Sequence, residues 1–465
     1  MFIDREDELR FLEEKWRSGD PQLLVLWGKR RVGKTELVKQ FLQGKRAIYF
    51  LADLTDDREQ LGRLSRAVGE FFDESLLRTR GFGEWEECFR YLRDRRERIA
   101  VVIDEFPYLI QANRAIPSLF QKAWDEYWAG SSLFVILLGS SVGMMETEVL
   151  GYEAPLYGRR TGQWKLRPLP FAMARQFRPG RAFEDAVRHF AVAGGIPAYW
   201  RWFSEEKEFI ENVAERIVRK GEPAFDEVEF LLREELREPR NYFVLLQAVA
   251  HGKRKLGEIV NASGMALGSA NKYLSVLADL DLIEREVPVT EPKPLKSRKG
   301  LYRIRDEFVR FWFRFVFPRR GELELGRPER VLEEIRRDLP SYLGQVYERV
   351  AGEMMLNNRE TFGELDRVGR WWDRETEIDV VALSGGENRI WYGEVKWSDQ
   401  PVGTDVWEGL RAKAERVGWG DGNTERRFVL FARSGFTKDL RRTAGKAEGG
   451  KGGGLVLYHG DHRVE

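Results

Sequence analysis

Apolar runs bounded by turn residues mark the first third of the chain. Leu23 to Trp27 (LLVLW) runs into GKRRVGKT, and the segment after it, TELVKQFL, places its apolar residues at helical spacing. Three more runs follow: AIYFLA (47–52), IAVVIDEF (99–106) and LFVILLGSS (133–141). They are apolar along much of their length rather than alternating, as expected of strands covered on both faces. Strands separated by helical patterns predict a parallel sheet flanked by helices. Either AIYFLA or LFVILLGSS lies between the first strand and the acidic one, depending on sheet order.

Residues 171–235 read as helices, FAMARQF and FEDAVRHFAVAGG among them, forming a helical lid. Residues 241–286 contain three helical segments. The second lies near Leu256 to Ala262, Ser263 and Gly264 make a turn, and the third lies near Leu267 to Leu280. LIEREVPV and LYRIRD then flank the loop TEPKPLKSRKG, which is the layout of a winged helix-turn-helix. In RDEFVRFWFRFVFPRR (305–320), Phe308, Phe311 and Phe315 share a helical face suited to packing between domains. SYLGQVYERVAGEMM (341–355) is an amphipathic helix carrying Glu348. EIDVVALSGGENRIWYGEVKW (377–397) reads as two strands about a glycine-containing turn. A helix near Val406 to Arg416, the strand RFVLFA (427–432), a helix near Lys438 to Ala444 and the strand LVLYH (455–459) complete the pattern.

The expected architecture is α/β and multidomain: a P-loop core with a parallel sheet over residues 1–170, a helical lid over 171–238, a winged helix-turn-helix over 239–320, and a restriction-endonuclease-like α/β domain over 321–465.

Composition narrows the setting. No run of about 18 apolar residues exists, so no segment is expected to span a membrane. The N-terminus, MFIDREDELRFLEEKW, is acidic and amphipathic and lacks the features of a signal peptide. Cys88 is the single cysteine, so no internal disulfide is expected, and the expected location is cytoplasmic. The net charge is only +1, so local charge matters more. From His251 to Arg305 there are eleven Lys and Arg against six Asp and Glu, a surplus of five positive charges. Lys253, Arg254 and Lys255 precede the second helix of this segment. The third helix offers Ser269, Asn271 and Lys272 to a groove, and Lys293, Lys296, Arg298 and Lys299 crowd the wing. These charges point to DNA held through its phosphates.

GKRRVGKT fits the phosphate-binding pattern GxxxxGK[ST]. Gly28, Lys29, Arg30, Arg31, Val32, Gly33, Lys34, Thr35 and Glu36 form the expected nucleotide-binding stretch. Its glycines let backbone N–H groups face phosphate oxygens, Lys34 reaches the β- and γ-phosphates, and the Thr35 hydroxyl ligates Mg²⁺. IAVVIDEF supplies Asp104 to hold Mg²⁺ and Glu105 to polarise an attacking water. Ser140 and Ser141 end the LFVILLGSS strand, where a polar side chain can sense the γ-phosphate. Arg159 and Arg160 follow in YGRRTGQW, and either can serve as an arginine finger. No guanine-reading NKxD motif appears, so ATP with Mg²⁺ is the expected cofactor pair.

Folding the 377–397 hairpin about its tip sets Asp379 opposite Glu394, with Lys396 two residues on and on the same face. Two facing carboxylates repel, and a shared hard cation relieves them. Such a cation polarises a phosphodiester and activates water, Lys396 orients that water or stabilises developing negative charge, and Glu348 ligates a second ion or positions the first. Helix, acidic strand pair, helix, strand, helix, strand is the order of the PD-(D/E)xK nuclease-like core.

FIDREDEL, GKRRVGKTELV, VVIDEFPYL, LLGSSVGMM, LYGRRTG and AVAGGIPAYW occur in this order along the chain. Together they resemble the archaeal-type ATPases, a branch of the AAA-like and STAND-like P-loop ATPases. The resemblance implies nucleotide-responsive roles for Arg159, Gly194, Gly195 and Pro197. It also implies a C-terminal nuclease-like domain with the pattern carried here by Trp371, Trp372, Glu377, Asp379, Glu394 and Lys396. The resulting expectation is an ATP-regulated DNA-processing enzyme, an ATPase whose partners are ATP and DNA, with oligomerisation left open. The alternative is a nucleotide-dependent switch whose C-terminal domain binds without cutting.

Overall fold

The computed structural model describes residues 2–236, 238–447 and 454–464. They divide into two compact units.

The first unit is built by the chain up to Leu169, with Ile196–Ala198 and the short stretch holding Glu234 and Glu235. It contains β1 (Gln22–Trp27), β2 (Ala47–Leu51), β3 (Ala100–Asp104), β4 (Phe134–Gly139) and β5 (Gly162–Lys165). All pairings are parallel and the strand order is β2-β3-β4-β1-β5. Every residue of β1, β3 and β4 is buried, as the unbroken apolar runs require. The order resolves the open choice: the LFVILLGSS strand, β4, lies between β1 and the acidic strand β3. Strand β5 was not anticipated, because GQWK is short and only half-buried. Helices α1 (Glu6–Arg17), α2 (Lys34–Phe41) and α3 (Phe106–Ala112) belong to this unit.

The second unit begins at Pro170 and holds the helices that follow it together with the whole C-terminal half. Helices α4 (Arg240–Ala250), α5 (Leu256–Ser263) and α6 (Leu267–Asp279) precede a two-stranded antiparallel sheet, β6 (Ile283–Glu286) and β7 (Leu301–Ile304). Gly264 stops α5 in the left-handed conformation, φ 66°, where a side chain would strain the backbone. Phe308, Phe311 and Phe315 are buried as expected, and Trp312 and Phe313 are buried with them. Burial is unbroken from Glu307 to Phe313, so the segment is covered right round rather than along one face, and it widens into a π turn at Trp312–Val316.

The amphipathic helix α7 spans Glu329–Asn357, longer than expected, and runs through Pro340. Its buried residues, from Val331 and Ile335 through Leu339, Tyr342, Val346, Val350 and Met355, keep helical spacing. A six-stranded sheet follows: β8 (Arg367–Trp372), β9 (Glu377–Ser384), β10 (Arg389–Lys396), β11 (Glu425–Ala432), β12 (Leu455–His459) and β13 (His462–Val464), in the order β13-β12-β11-β10-β9-β8. Strands β8, β9 and β10 form an antiparallel meander, whereas β10, β11 and β12 are parallel. Helix α8 (Thr404–Ala414) links β10 to β11, and α9 (Lys438–Ala447) follows β11. Strands β8 and β13 extend the sheet beyond the strands the pattern revealed.

Candidate functional site

In the first unit, the loop between β1 and α2 carries the motif. Gly28 and Gly33 both have positive φ, 153° and 102°. A Cβ at Gly28 would collide with the Leu166 carbonyl, so only glycine lets the chain pass β5. Lys34 is buried, and its ammonium donates to the carbonyls of Gly28 at 2.9 Å and Lys29 at 3.0 Å. Burial lowers its pKa to about 8. Arg5 fastens the loop from behind by donating to the Val32 carbonyl at 3.1 Å and the Arg167 carbonyl at 2.8 Å. Arg31 and Glu36 are exposed, and Glu36 lies 3.9 Å from Lys39.

The Thr35 hydroxyl donates to Asp104 Oδ2 at 2.9 Å, and Tyr49 OH donates to the same oxygen. Thr35 and Asp104 thus converge at the mouth of the loop. Their oxygen donors suit Mg²⁺, which takes few protein ligands and keeps waters and phosphate oxygens. Glu105 sits in the left-handed region, φ 55° and ψ 45°, at the start of α3. Such a conformation in a non-glycine residue persists where the surroundings fix it. Here Glu105 Oε2 accepts from Ser140 Oγ at 2.6 Å and from the Ser140 N–H at 3.3 Å. The serine after β4 therefore holds the carboxylate that follows β3.

Two acids from the end of the helix Pro223–Glu235 complete this site. Glu234 pairs with Arg30 at 2.7 Å, and Arg30 also donates to Tyr108 OH at 2.7 Å. Glu235 accepts from Ser141 Oγ at 3.2 Å and from the N–H groups of Val142 and Gly143 at 3.2 and 3.4 Å. Burial raises its pKa. Arg159, by contrast, is engaged by Asp125 at 3.3 Å, and Arg160 donates to the Leu150 carbonyl at 3.2 Å.

The second unit brings the C-terminal residues together at one end of its sheet. Gly393 pairs with Val380, so the next step in the antiparallel register sets Glu394 opposite Asp379. Both are nearly buried, 9% exposed for Asp379 and 6% for Glu394. Asp379 Oδ2 accepts the Val395 N–H at 2.9 Å. Burial, and then the charge of Glu394, push the Asp379 pKa up to about 6. Lys396 Nζ lies 2.8 Å from Glu394 Oε1. Although burial works against the charged form of Lys396, Glu394 raises its pKa.

From α8, Lys413 Nζ lies 3.0 Å from each Glu394 oxygen. Glu348, on α7, is 3.4 Å from Arg370, which reaches Glu377 at 2.9 Å. Burial first, and then Asp379, raise the Glu348 pKa to about 7. Among the described residues, no three acid, His or Cys side chains gather into a preformed metal cage. Glu348 nevertheless lines the same cavity as Asp379, where Arg370 engages it at 3.4 Å. Asp379 and Glu394 remain a facing pair of hard oxygen donors, and their repulsion is the kind a divalent cation relieves. A cavity of about 240 Å³ opens beside Asp379 and Glu348, lined also by Glu286, Arg303, Arg305 and Arg370.

The basic residues of α6 and the β6–β7 loop face solvent: Lys272, Lys293, Lys296, Arg298 and Lys299 are all exposed. Lys299 lies 3.3 Å from Glu291. Arg254 turns inward to Glu286 at 2.7 Å. The base of the loop is tied to the C-terminal sheet, with Val289 donating its N–H to the Arg370 carbonyl at 2.9 Å and packing among Trp371 and Ile378. Among the described residues, no helix is long and apolar enough to cross a membrane.

Residues 2–200 match the family described as an ATPase domain predominantly from Archaea. An uncharacterized protein of Methanocaldococcus jannaschii is 37% identical over 403 residues, covering 86% of this chain and 88% of its own length. The chain belongs to this family of archaeal ATPase-domain proteins. An uncharacterized ATP-binding protein of the same organism is 52% identical over 46 residues, 10% of this chain and 78% of its own. A Walker-type ATPase of Pyrococcus abyssi is 24% identical, with a TM-score of 0.49, covering 67% of this chain and 96% of its own. Residues 312–410 of this ATPase-family chain match archaeal and bacterial proteins of unknown function.

Arg5, Tyr49, Tyr108, Glu234, Glu235 and Lys413 are the site residues that the sequence reading missed. Arg5 and Tyr108 lie in FIDREDEL and VVIDEFPYL, where neither has a local chemical reading, and Tyr49, Glu234, Glu235 and Lys413 lie in no recurring motif.

Proposed function

We propose that this protein binds and hydrolyses ATP and uses it to regulate a DNA-processing site in its C-terminal part. In the first unit, Lys34 and the loop N–H groups hold the triphosphate, and Thr35 and Asp104 hold Mg²⁺. That ion neutralises charge on the phosphates when bound. Glu105, fixed by Ser140, accepts a proton from the attacking water as its oxygen bonds to the γ-phosphorus and ADP leaves. Arg159 serves as the finger only once Asp125 releases it.

Helices α4–α6 followed by the β6–β7 sheet support a winged-helix reading, in which Lys272, Lys293, Lys296, Arg298 and Lys299 provide contacts to DNA phosphates. In the C-terminal sheet, the order α7, β8–β10, α8, β11 supports a PD-(D/E)xK nuclease-like domain. The observation that carries this reading is the facing pair Asp379 and Glu394 with Lys396 on the same sheet face. A divalent cation there supplies Lewis acidity. Asp379 and Glu394 bind it, and Lys396 orients the nucleophilic water against the phosphodiester.

The second reading is a nucleotide-dependent switch whose C-terminal domain binds DNA without cutting it. The pairing of Glu348 with Arg370 at 3.4 Å favours it, since it engages a carboxylate that would otherwise serve a cation. Incubating supercoiled plasmid with purified full-length protein in Mg²⁺ or Mn²⁺ separates the two. Nicking that is lost in Asp379→Ala supports the nuclease, and absence of nicking with DNA binding retained supports the switch.

A further inference from the structure

We infer that Lys413 is a second phosphate-binding ammonium of the C-terminal site, so that the site grips two neighbouring phosphates of a nucleic-acid strand. This rests on the nuclease-like reading above. Helix α8 buries Leu410 and Ala414 completely against the sheet. That packing fixes the position of Lys413 between them and aims it at the sheet end where Glu394 lies. Its ammonium spans both Glu394 oxygens at 3.0 Å, while Lys396 approaches Oε1 at 2.8 Å. Two ammoniums therefore crowd one nearly buried carboxylate. The facing Asp379 is the second acid that both lysines favour in its charged form.

The cluster holds two acids, Asp379 and Glu394, and two lysines, Lys396 and Lys413, so it is balanced when all are charged. With Asp379 and Glu394 committed to a divalent cation, both ammoniums lose their partner and the cluster gains two positive charges. Two phosphodiester groups, each carrying one negative charge, restore the balance. Lys396, on the strand beside Glu394, takes the phosphate at the reacting bond. Lys413, arriving from α8, takes its neighbour along the strand. Charge-assisted contacts of this kind are among the stronger hydrogen bonds.

The test uses full-length protein and Ca²⁺, a hard oxygen-seeking cation. Calorimetry measures Ca²⁺ binding, and Asp379→Ala identifies the fraction that belongs to this site. Fluorescence anisotropy measures binding of a labelled DNA duplex with and without Ca²⁺. In the wild type, Ca²⁺ should tighten duplex binding. Lys413→Gln should bind Ca²⁺ at least as well, since Glu394 loses a competitor, yet lose about tenfold of the Ca²⁺-dependent gain in duplex affinity. Lys413→Arg should keep most of the gain. A Lys413→Gln protein with the full gain overturns the inference. So does one that no longer binds Ca²⁺, because Lys413 would then only position Glu394. Wild-type protein without Asp379-dependent Ca²⁺ binding fails differently, by removing the nuclease-like reading beneath it.

Discussion

Asp379 should cost the folded chain stability, and removing its charge should return it. Its carboxyl is 9% exposed and pushed from 3.8 up to about 6 by burial and by Glu394. A shift of about two units at about 1.4 kcal/mol each makes the ionised form costly by roughly 3 kcal/mol. Because the folded-state value lies above the unfolded one, the folded chain holds this proton more tightly. The penalty is complete well above pH 6, shrinks as the pH falls through about 6, is about half as large near pH 5, and vanishes below 3.8. Asparagine keeps the shape and an oxygen for the Val395 N–H, and removes only the charge. Asp379→Asn should therefore stabilise the protein by about 2–3 kcal/mol at pH 8 in chelator, raising the melting temperature by about 4–6 °C. Differential scanning calorimetry at pH 8 and pH 5 measures both values. A variant that melts lower at pH 8, or whose gain is the same at both pH values, would show that the Asp379 charge carries no such cost. Confirmation would mean the acid is present at the expense of stability, as functional groups often are.

Other substitutions probe the remaining elements. Lys34→Ala should abolish nucleotide binding in equilibrium titration while leaving Asp379-dependent cation binding unchanged; normal ATP affinity would contradict the loop assignment. Glu105→Gln should lower ATP turnover by about a hundredfold or more and retain ATP binding, and Ser140→Ala should show a smaller loss of the same kind. Replacing Lys293, Lys296, Arg298 and Lys299 by Gln should weaken duplex binding and flatten its salt dependence by about three to four in log–log slope. An unchanged slope would move the DNA contact elsewhere.

Local chemistry made much of this legible. The β1–α2 loop needs glycines, a lysine and a hydroxyl at fixed spacing, so GKRRVGKT announces itself. The Asp379–Glu394 register follows from a hairpin whose tip is marked by Gly385 and Gly386. Sheet order could not be read, because β2 and β4 are equally apolar and only tertiary packing decides which lies beside β1. Glu234 and Glu235 sit in an ordinary charged helix, FLLREE, and nothing local shows that they reach Arg30 and Ser141. Lys413 is likewise one basic residue in RAKAER until α8 is laid across the sheet. Strand β8 was hidden because RVGRWW is partly exposed and interrupted by a shift in pairing between Gly369 and Trp371.

Plasmid nicking by full-length protein with and without ATP decides whether nucleotide state governs a phosphodiester-cleaving site. In Mg²⁺ or Mn²⁺, the wild type should nick supercoiled DNA at a rate that changes on adding ATP. Glu105→Gln should lock the rate at its ATP-bound value, and Asp379→Ala should show none. Nicking by Asp379→Ala, or a wild-type rate indifferent to ATP, would contradict the account.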